Sequence, residues 1–311
     1  MKKLTNVRFG LMSVTCVLAF TAACSSGSPV QSVVVKVPVD TITPPTTPPN
    51  TTDPNLTYIP ATGTATRTPA LHTAAGYPMQ YWISVPAGWP GNRSWPIVIN
   101  LPGASKDFQA SAVLFGKVRD DNNWPFIVIT PVTLTNGGDV AVPRTSTFYS
   151  MPSSTWDLID QQGRCVFDVT GLQAVIADAR NLYAGQPKAF LTAWSAGGHG
   201  AFAALFTKPE KLRAAALSGV NYLSRCITKE IFTPPILTTA PERVLFPMRI
   251  FNGFNDPGQS ILAPQQADAI AFARQLGFTN ITTETVPVIG HDPMPFNVMS
   301  YFLGLMTAAE K

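Results

Sequence analysis

From residue 58 onward, short apolar runs alternate with amphipathic stretches, and this alternation restricts the chain to repeated strand and helix units closing on a mostly parallel sheet. Residues 97–101, 126–130, 189–192, 214–218, 248–251 and 283–288 read as strands, and 81–85, which alternates, reads as an early antiparallel one. Val169, Leu172, Val175, Ile176 and Ala179 recur at helical spacing behind Asp168, which the pattern makes an N-cap. Residues 267–276 and 294–306 read as later helices. About 250 residues of this kind form one α/β domain, a central sheet flanked by helices, rather than two small ones.

In such a sheet, functional residues collect in the loops after the carboxyl ends of the strands. The run Ala189-Phe190-Leu191-Thr192 leads into Ala193-Trp194-Ser195-Ala196-Gly197-Gly198, and residues 198–206 continue at helical spacing. A turn sharp enough to lift a serine hydroxyl off a strand top leaves no room for side chains two positions either side. Small residues stand there, Ala193 and Gly197. A serine between small residues is also ordinary loop chemistry, so Ser195 needs partners.

The chain has three histidines. His72 precedes the expected sheet, and His199 lies one helical turn past Ser195, pointing into or along the helix. His291 follows the last expected strand, where it can reach across the strand tops as a general base working near neutral pH. The acid that orients it should end a strand between the two. Asp256, in Phe251-Asn252-Gly253-Phe254-Asn255-Asp256-Pro257, is so placed. Asp292 is a rival, although adjacent loop residues seldom face each other; Asp268 and Glu284 fall on an expected helix and strand. Oxyanion donors are expected at the N–H of Ala196 and, after the turn Pro102-Gly103, at that of Ala104.

Lys2, Lys3 and Arg8 precede an apolar run, 9–23, that ends in Thr21-Ala22-Ala23-Cys24. This resembles the lipobox of bacterial lipoproteins, with residues 1–23 as signal peptide and Cys24 as the lipidated residue. Lipoproteins of Gram-negative bacteria with serine next, here Ser25, are usually sorted to the outer membrane. A transmembrane anchor is the rival, and the run is short for a span of about 20 residues. Residues 24–57, rich in Pro, Thr and Ser, read as a tether for a catalytic domain over 58–311, with Val33-Val34-Val35 as a rival edge strand. Three of the positive charges behind the net +4 lie in the signal, so the remainder is near neutral and gives no support to a nucleic-acid or polyanion partner. Cys16 leaves with the signal and Cys24 carries lipid, leaving Cys165 and Cys226 as a pair expected to be bridged in an exported protein. Two buried free thiols are the alternative.

Residues 81–311 resemble the α/β-hydrolase superfamily, and within it secreted esterases of the polyhydroxybutyrate depolymerase and feruloyl esterase type. The likeness rests on Val85-Pro86-Ala87-Gly88, Leu101-Pro102-Gly103, the helix opening at Asp168, Ser195-Ala196-Gly197-Gly198, Asn252-Gly253 with Asp256, and Gly290-His291. The family usually has glycine where this chain has Ala193, and histidine where it has Pro102. The resemblance implies an α/β-hydrolase fold without a large lid domain and an open cleft. It implies a Ser195, His291 and Asp256 triad acting through an acyl-enzyme on an ester, small or at a polymer end, with no metal or organic cofactor. A peptidase or acyltransferase with the same triad, or a binding protein that has lost catalysis, are the rivals. It further places the Cys165–Cys226 bridge at the rim of the cleft and Trp194 beneath the elbow, and it lets Tyr149, Trp156, Tyr222 and Phe254 line an acyl or aromatic pocket, with buried packing as the first expectation for any one of them.

Overall fold

The computed structural model describes residues 58–137, 144, 149–223, 225–226 and 241–311. The chain divides into two units, Met1–Thr47 and Pro48–Lys311, and every described residue belongs to the second. The expected signal, Cys24 and the tether therefore lie outside the described residues. So do residues 227–240, on which the expectation of an open cleft without a lid partly falls.

Among the described residues the strands are β1 (Ala70–Thr73), β2 (Gln80–Ser84), β3 (Ile97–Leu101), β4 (Ile127–Pro131), β5 (Ala189–Trp194), β6 (Leu212–Ser218), β7 (Met248–Gly253) and β8 (Ile281–Val286). They form one sheet in the order β1-β2-β4-β3-β5-β6-β7-β8. The first two pair antiparallel, and from β4 to β8 every pairing is parallel. The helices are α1 (Phe108–Asp121), α2 (Ser153–Gln162), α3 (Arg164–Tyr183), α4 (Gly198–Thr207), α5 (Pro241–Leu245), α6 (Gln259–Gln275) and α7 (Pro295–Gly304). None of the described helices is long and apolar enough to cross a membrane.

The central strands are apolar on both faces because both faces are covered. Period-two alternation sends Ile97, Ile99 and Leu191 to one layer, against Val175 and Ile176 of α3 and Phe202 of α4. Val98 and Phe190 go to the other, against Phe115 of α1 and Phe302 of α7. Phe190 stacks on Phe302 with ring centroids 4.7 Å apart. Each such buried aromatic contributes roughly 1.5–3 kcal/mol.

Three expectations need correction. Asp168 is not an N-cap: α3 begins at Arg164, and Asp168 is fully buried a turn inside it, its carboxylate turned to the backbone N–H groups of Leu134 (2.9 Å) and Thr135 (2.8 Å). His72 does not precede the sheet but sits on β1, 3.3 Å from the Tyr183 hydroxyl. The helix expected at 267–276 starts at Gln259 and carries Pro264 in its second turn.

Candidate active site

β5 enters the elbow with Trp194 in an extended conformation, and Ser195 turns to φ +51° before a single tight turn and α4. A non-glycine residue held there stores on the order of 1 kcal/mol or more of backbone strain, which the surrounding packing must hold in place. The packing is close. A Cβ at Gly197 would lie 2.3 Å from the Leu101 carbonyl oxygen, and one at Gly198 2.4 Å from that of Asn221. Ala193 is buried in the sheet with its methyl accommodated, so the departure from glycine there causes no clash.

β7 and β8 supply the second half. Asp256, in the loop after β7, accepts the Gly258 N–H at 2.7 Å and holds His291 Nδ1 at 2.8 Å through its other oxygen. The Asp256 side chain is wholly covered, and that of His291 is 29% exposed. Oriented in this way, the imidazole presents Nε2 away from the carboxylate. The rival Asp292 is exposed and takes no part in that bond.

The two loops meet through their backbones. Phe254 N–H donates to Val286 O at 3.0 Å and Asn255 N–H to Ile289 O at 2.8 Å, while a Cβ at Gly253 would lie 2.1 Å from Gly290 O. Gly219, after β6 and at φ +49°, closes the cluster: a Cβ there would sit 3.2 Å from His291 Nδ1 and 3.3 Å from Asp256 Oδ2.

Trp194 does not pack beneath the elbow. It stands beside the imidazole of His291, with ring centroids 5.3 Å apart. The serine hydroxyl itself donates to Asn221 Oδ1, at a long 3.5 Å. Asn221 N–H also donates to Ser195 O at 3.0 Å, and its side-chain amide donates to Gln265 Oε1 at 3.3 Å. Because Gln265 Oε1 also accepts the Tyr222 backbone N–H at 2.8 Å, the orientation of both amides is fixed, and Asn221 turns an acceptor to the serine.

Ala196 is buried directly after the serine, and Ala104 is exposed at the end of the turn after β3. That turn lies against the elbow, since a Cβ at Gly103 would be 3.1 Å from Ser195 Cβ. Cys165, in the first turn of α3, is disulfide-bonded to Cys226, with Cα atoms 5.4 Å apart, tying α3 to the loop that carries Asn221. Of the four aromatics, Tyr149, Trp156 and Tyr222 take the buried packing expected for them, and Phe254 is exposed. His199 is buried on α4. Among the described residues no group of three His, Cys, Asp or Glu is arranged to hold a metal ion.

The sequence motifs singled out Ser195, Asp256 and His291 but not Asn221, Gln265 or Asn136. Asn136 donates to Gly103 O from the loop after β4. Gln265 lies on α6 and the two asparagines in the connections after β4 and β6, and single polar side chains in these places carry no periodic signal that would have marked them.

No protein-family model matches the chain, and no curated protein matches it. Among solved structures, poly(aspartic acid) hydrolase-1 from Sphingomonas sp. KT-1 is similar at a TM-score of 0.52 and 12% identity, over 79% of this chain and 100% of that one. A thermostable esterase aligns at 0.45 and 16% identity over 75% of this chain, which spans only 59% of that one. Est1E from Butyrivibrio proteoclasticus aligns at 0.48 and 12%, over 78% and 100%. At these identities the likeness is one of fold: the chain has the α/β-hydrolase fold.

Proposed function

We propose that the protein is an exported, lipid-anchored serine esterase of the polyhydroxybutyrate depolymerase and feruloyl esterase type, cleaving carboxylic esters through Ser195, His291 and Asp256. The observation that carries this reading is the 2.8 Å bond from Asp256 to His291 Nδ1, with the imidazole packed against Trp194 beside a serine at φ +51°.

In the resting state the Ser195 hydroxyl is drawn to Asn221. Rotation about χ1 brings it to His291, which takes its proton as Oγ bonds to the ester carbonyl carbon. The oxyanion that forms meets the N–H groups of Ala196 and Ala104. Collapse breaks the bond to the alcohol, which leaves with the proton held by His291. Water then attacks the acyl-enzyme, gives a proton to His291, and the acid departs as Ser195 recovers it. Asp256 holds the ring throughout and stabilises its charged form. Cys24 would carry the lipid and residues 24–57 the reach from the membrane surface to the ester, a small molecule or a polymer end.

The test is covalent labelling with a fluorophosphonate. Modification of Ser195, absent in Ser195→Ala, is expected; folded protein that does not label sinks the reading. A panel of short acyl, feruloyl, acetyl-sugar and hydroxybutyrate esters, with matched amides, then fixes the substrate. Radiolabelled palmitate should enter the wild-type protein in cells and not Cys24→Ala.

A further inference from the structure

The turn that carries the second oxyanion donor is gripped from behind. Asn136 is fully buried, and its Nδ2 donates to Gly103 O at 3.2 Å and, at the long limit of 3.5 Å, to Pro102 O. Both carbonyls can only accept, so the amide orientation is fixed; its Oδ1 faces the Tyr149 hydroxyl at 3.4 Å. The loop that carries Asn136 is itself held, because Asp168 accepts the N–H groups of Leu134 and Thr135 just before it.

The Gly103 carbonyl and the Ala104 N–H belong to one peptide unit. That unit is planar and trans, so the two groups point in opposite directions. A donor holding Gly103 O from one side therefore aims Ala104 N–H to the other. Lys106 N–H, at 3.2 Å from the same carbonyl, helps from within the turn. Gly103 packs on Ser195 and Trp194, so a tilt of this peptide is a displacement next to the nucleophile.

We propose that Asn136 is the positioning residue of the oxyanion hole: through the Gly103 carbonyl it aims the Ala104 N–H, and Asp168 fixes its loop. The proposal rests on the serine esterase reading. It gives this chain, which has proline at position 102, a brace from the opposite side of the turn.

The test compares 4-nitrophenyl acetate with its thionoester, whose sulfur accepts hydrogen bonds weakly and gains less from an aimed N–H. In Asn136→Ala, kcat for the oxygen ester should fall roughly 10- to 100-fold, part of what losing a whole donor costs, with KM within about 2-fold. Thionoester turnover should fall less, so the oxygen-to-sulfur preference shrinks. Equal losses on both substrates, or unchanged turnover in folded protein, overturn the proposal. If Asn136→Ala does not fold, Asn136→Asp, with the same shape but an acceptor facing the carbonyl, decides by the same ratio. Wild-type protein that neither turns over esters nor labels with fluorophosphonate overturns the esterase reading instead.

Discussion

At opposite ends of the sheet a buried carboxylate meets a basic side chain, and the two pairs are built differently. At the amino ends of the strands, Glu310 is 1% exposed and every oxygen is saturated. Arg213 at the start of β6 bonds both oxygens, Gln186 donates at 3.0 Å, and the backbone and hydroxyl of Thr307 donate at 2.7 and 3.0 Å. Burial alone would raise the Glu310 pKa, but these donors, Arg213 foremost, hold it below the usual carboxylate range. At the carboxyl ends, the Asp256 side chain is equally covered, but beside the Gly258 N–H its basic partner is one imidazole that stays part exposed. The lower pair uses all its bonding capacity on the fold. The upper pair leaves one face of its base open, and that remaining capacity is where chemistry can occur.

If this contrast is right, substitutions at the upper pair change rate and spare stability, and those at the lower pair do the reverse. The largest effect should be Ser195→Ala, which takes ester hydrolysis down by roughly a million-fold while the melting temperature stays within a few degrees. Asp256→Asn should lower kcat by roughly ten-thousand-fold, because the imidazole is left in the wrong tautomer, again with near-native melting. Arg213→Met should leave kcat at 25 °C unchanged and cost about 3–5 kcal/mol in a urea titration, the penalty of stranding a buried carboxylate. Fast, marginally altered rim variants or slow, stable Arg213 variants would break the comparison.

Two further variants sharpen it, because they lie behind the rim. Opening the Cys165–Cys226 bridge, which closes a sequence separation of 61 residues, should cost about 4 kcal/mol on the chain-entropy model, read as the shift between reduced and oxidised protein. The smallest effect concerns Asp168. Burial pushes its carboxyl up to about 6 from 3.8, against the pull of the Thr135 and Leu134 donors and of Arg164. Between those values the native state binds more protons than the unfolded chain, so stability should fall as pH rises from about 4 to about 6, by up to about 3 kcal/mol, and level above. Asp168→Asn should flatten that slope.

Much of this frame was legible because central parallel strands are covered on both faces, and β3, β5 and β6 stand out in the sequence as mostly apolar runs broken by single polar residues such as Asn100, Thr192 and Arg213. The positions of Ser195, Asp256 and His291 past strand ends could likewise be read, since they follow β5, β7 and β8. What was hidden lacked that signal. β1 alternates between part-buried and exposed residues at the sheet edge and holds no apolar run. α1 buries Phe108, Ala112, Phe115, Gly116 and Arg119, a helical spacing in which two of the five are glycine and arginine and so do not read as core. Asp168 reads as a cap because N-caps are short polar residues such as Asp, Asn, Ser and Thr. It faces a different segment, and only tertiary contact distinguishes the two. Asn136, Asn221 and Glu310 act by long-range pairing for which no local pattern exists.

The contact at Gly253 has a consequence for how this protein could be diversified. The loops that carry Asp256 and His291 meet where one backbone lies on another at Gly253 and Gly290, so any substitution at Gly253 forces the loops apart. The tips of the same loops, Phe254 and Val288, are 73% and 82% exposed. A library that randomises these two tips and leaves Gly253 alone would vary the exposed surface of both loops while keeping Asp256 and His291 in register.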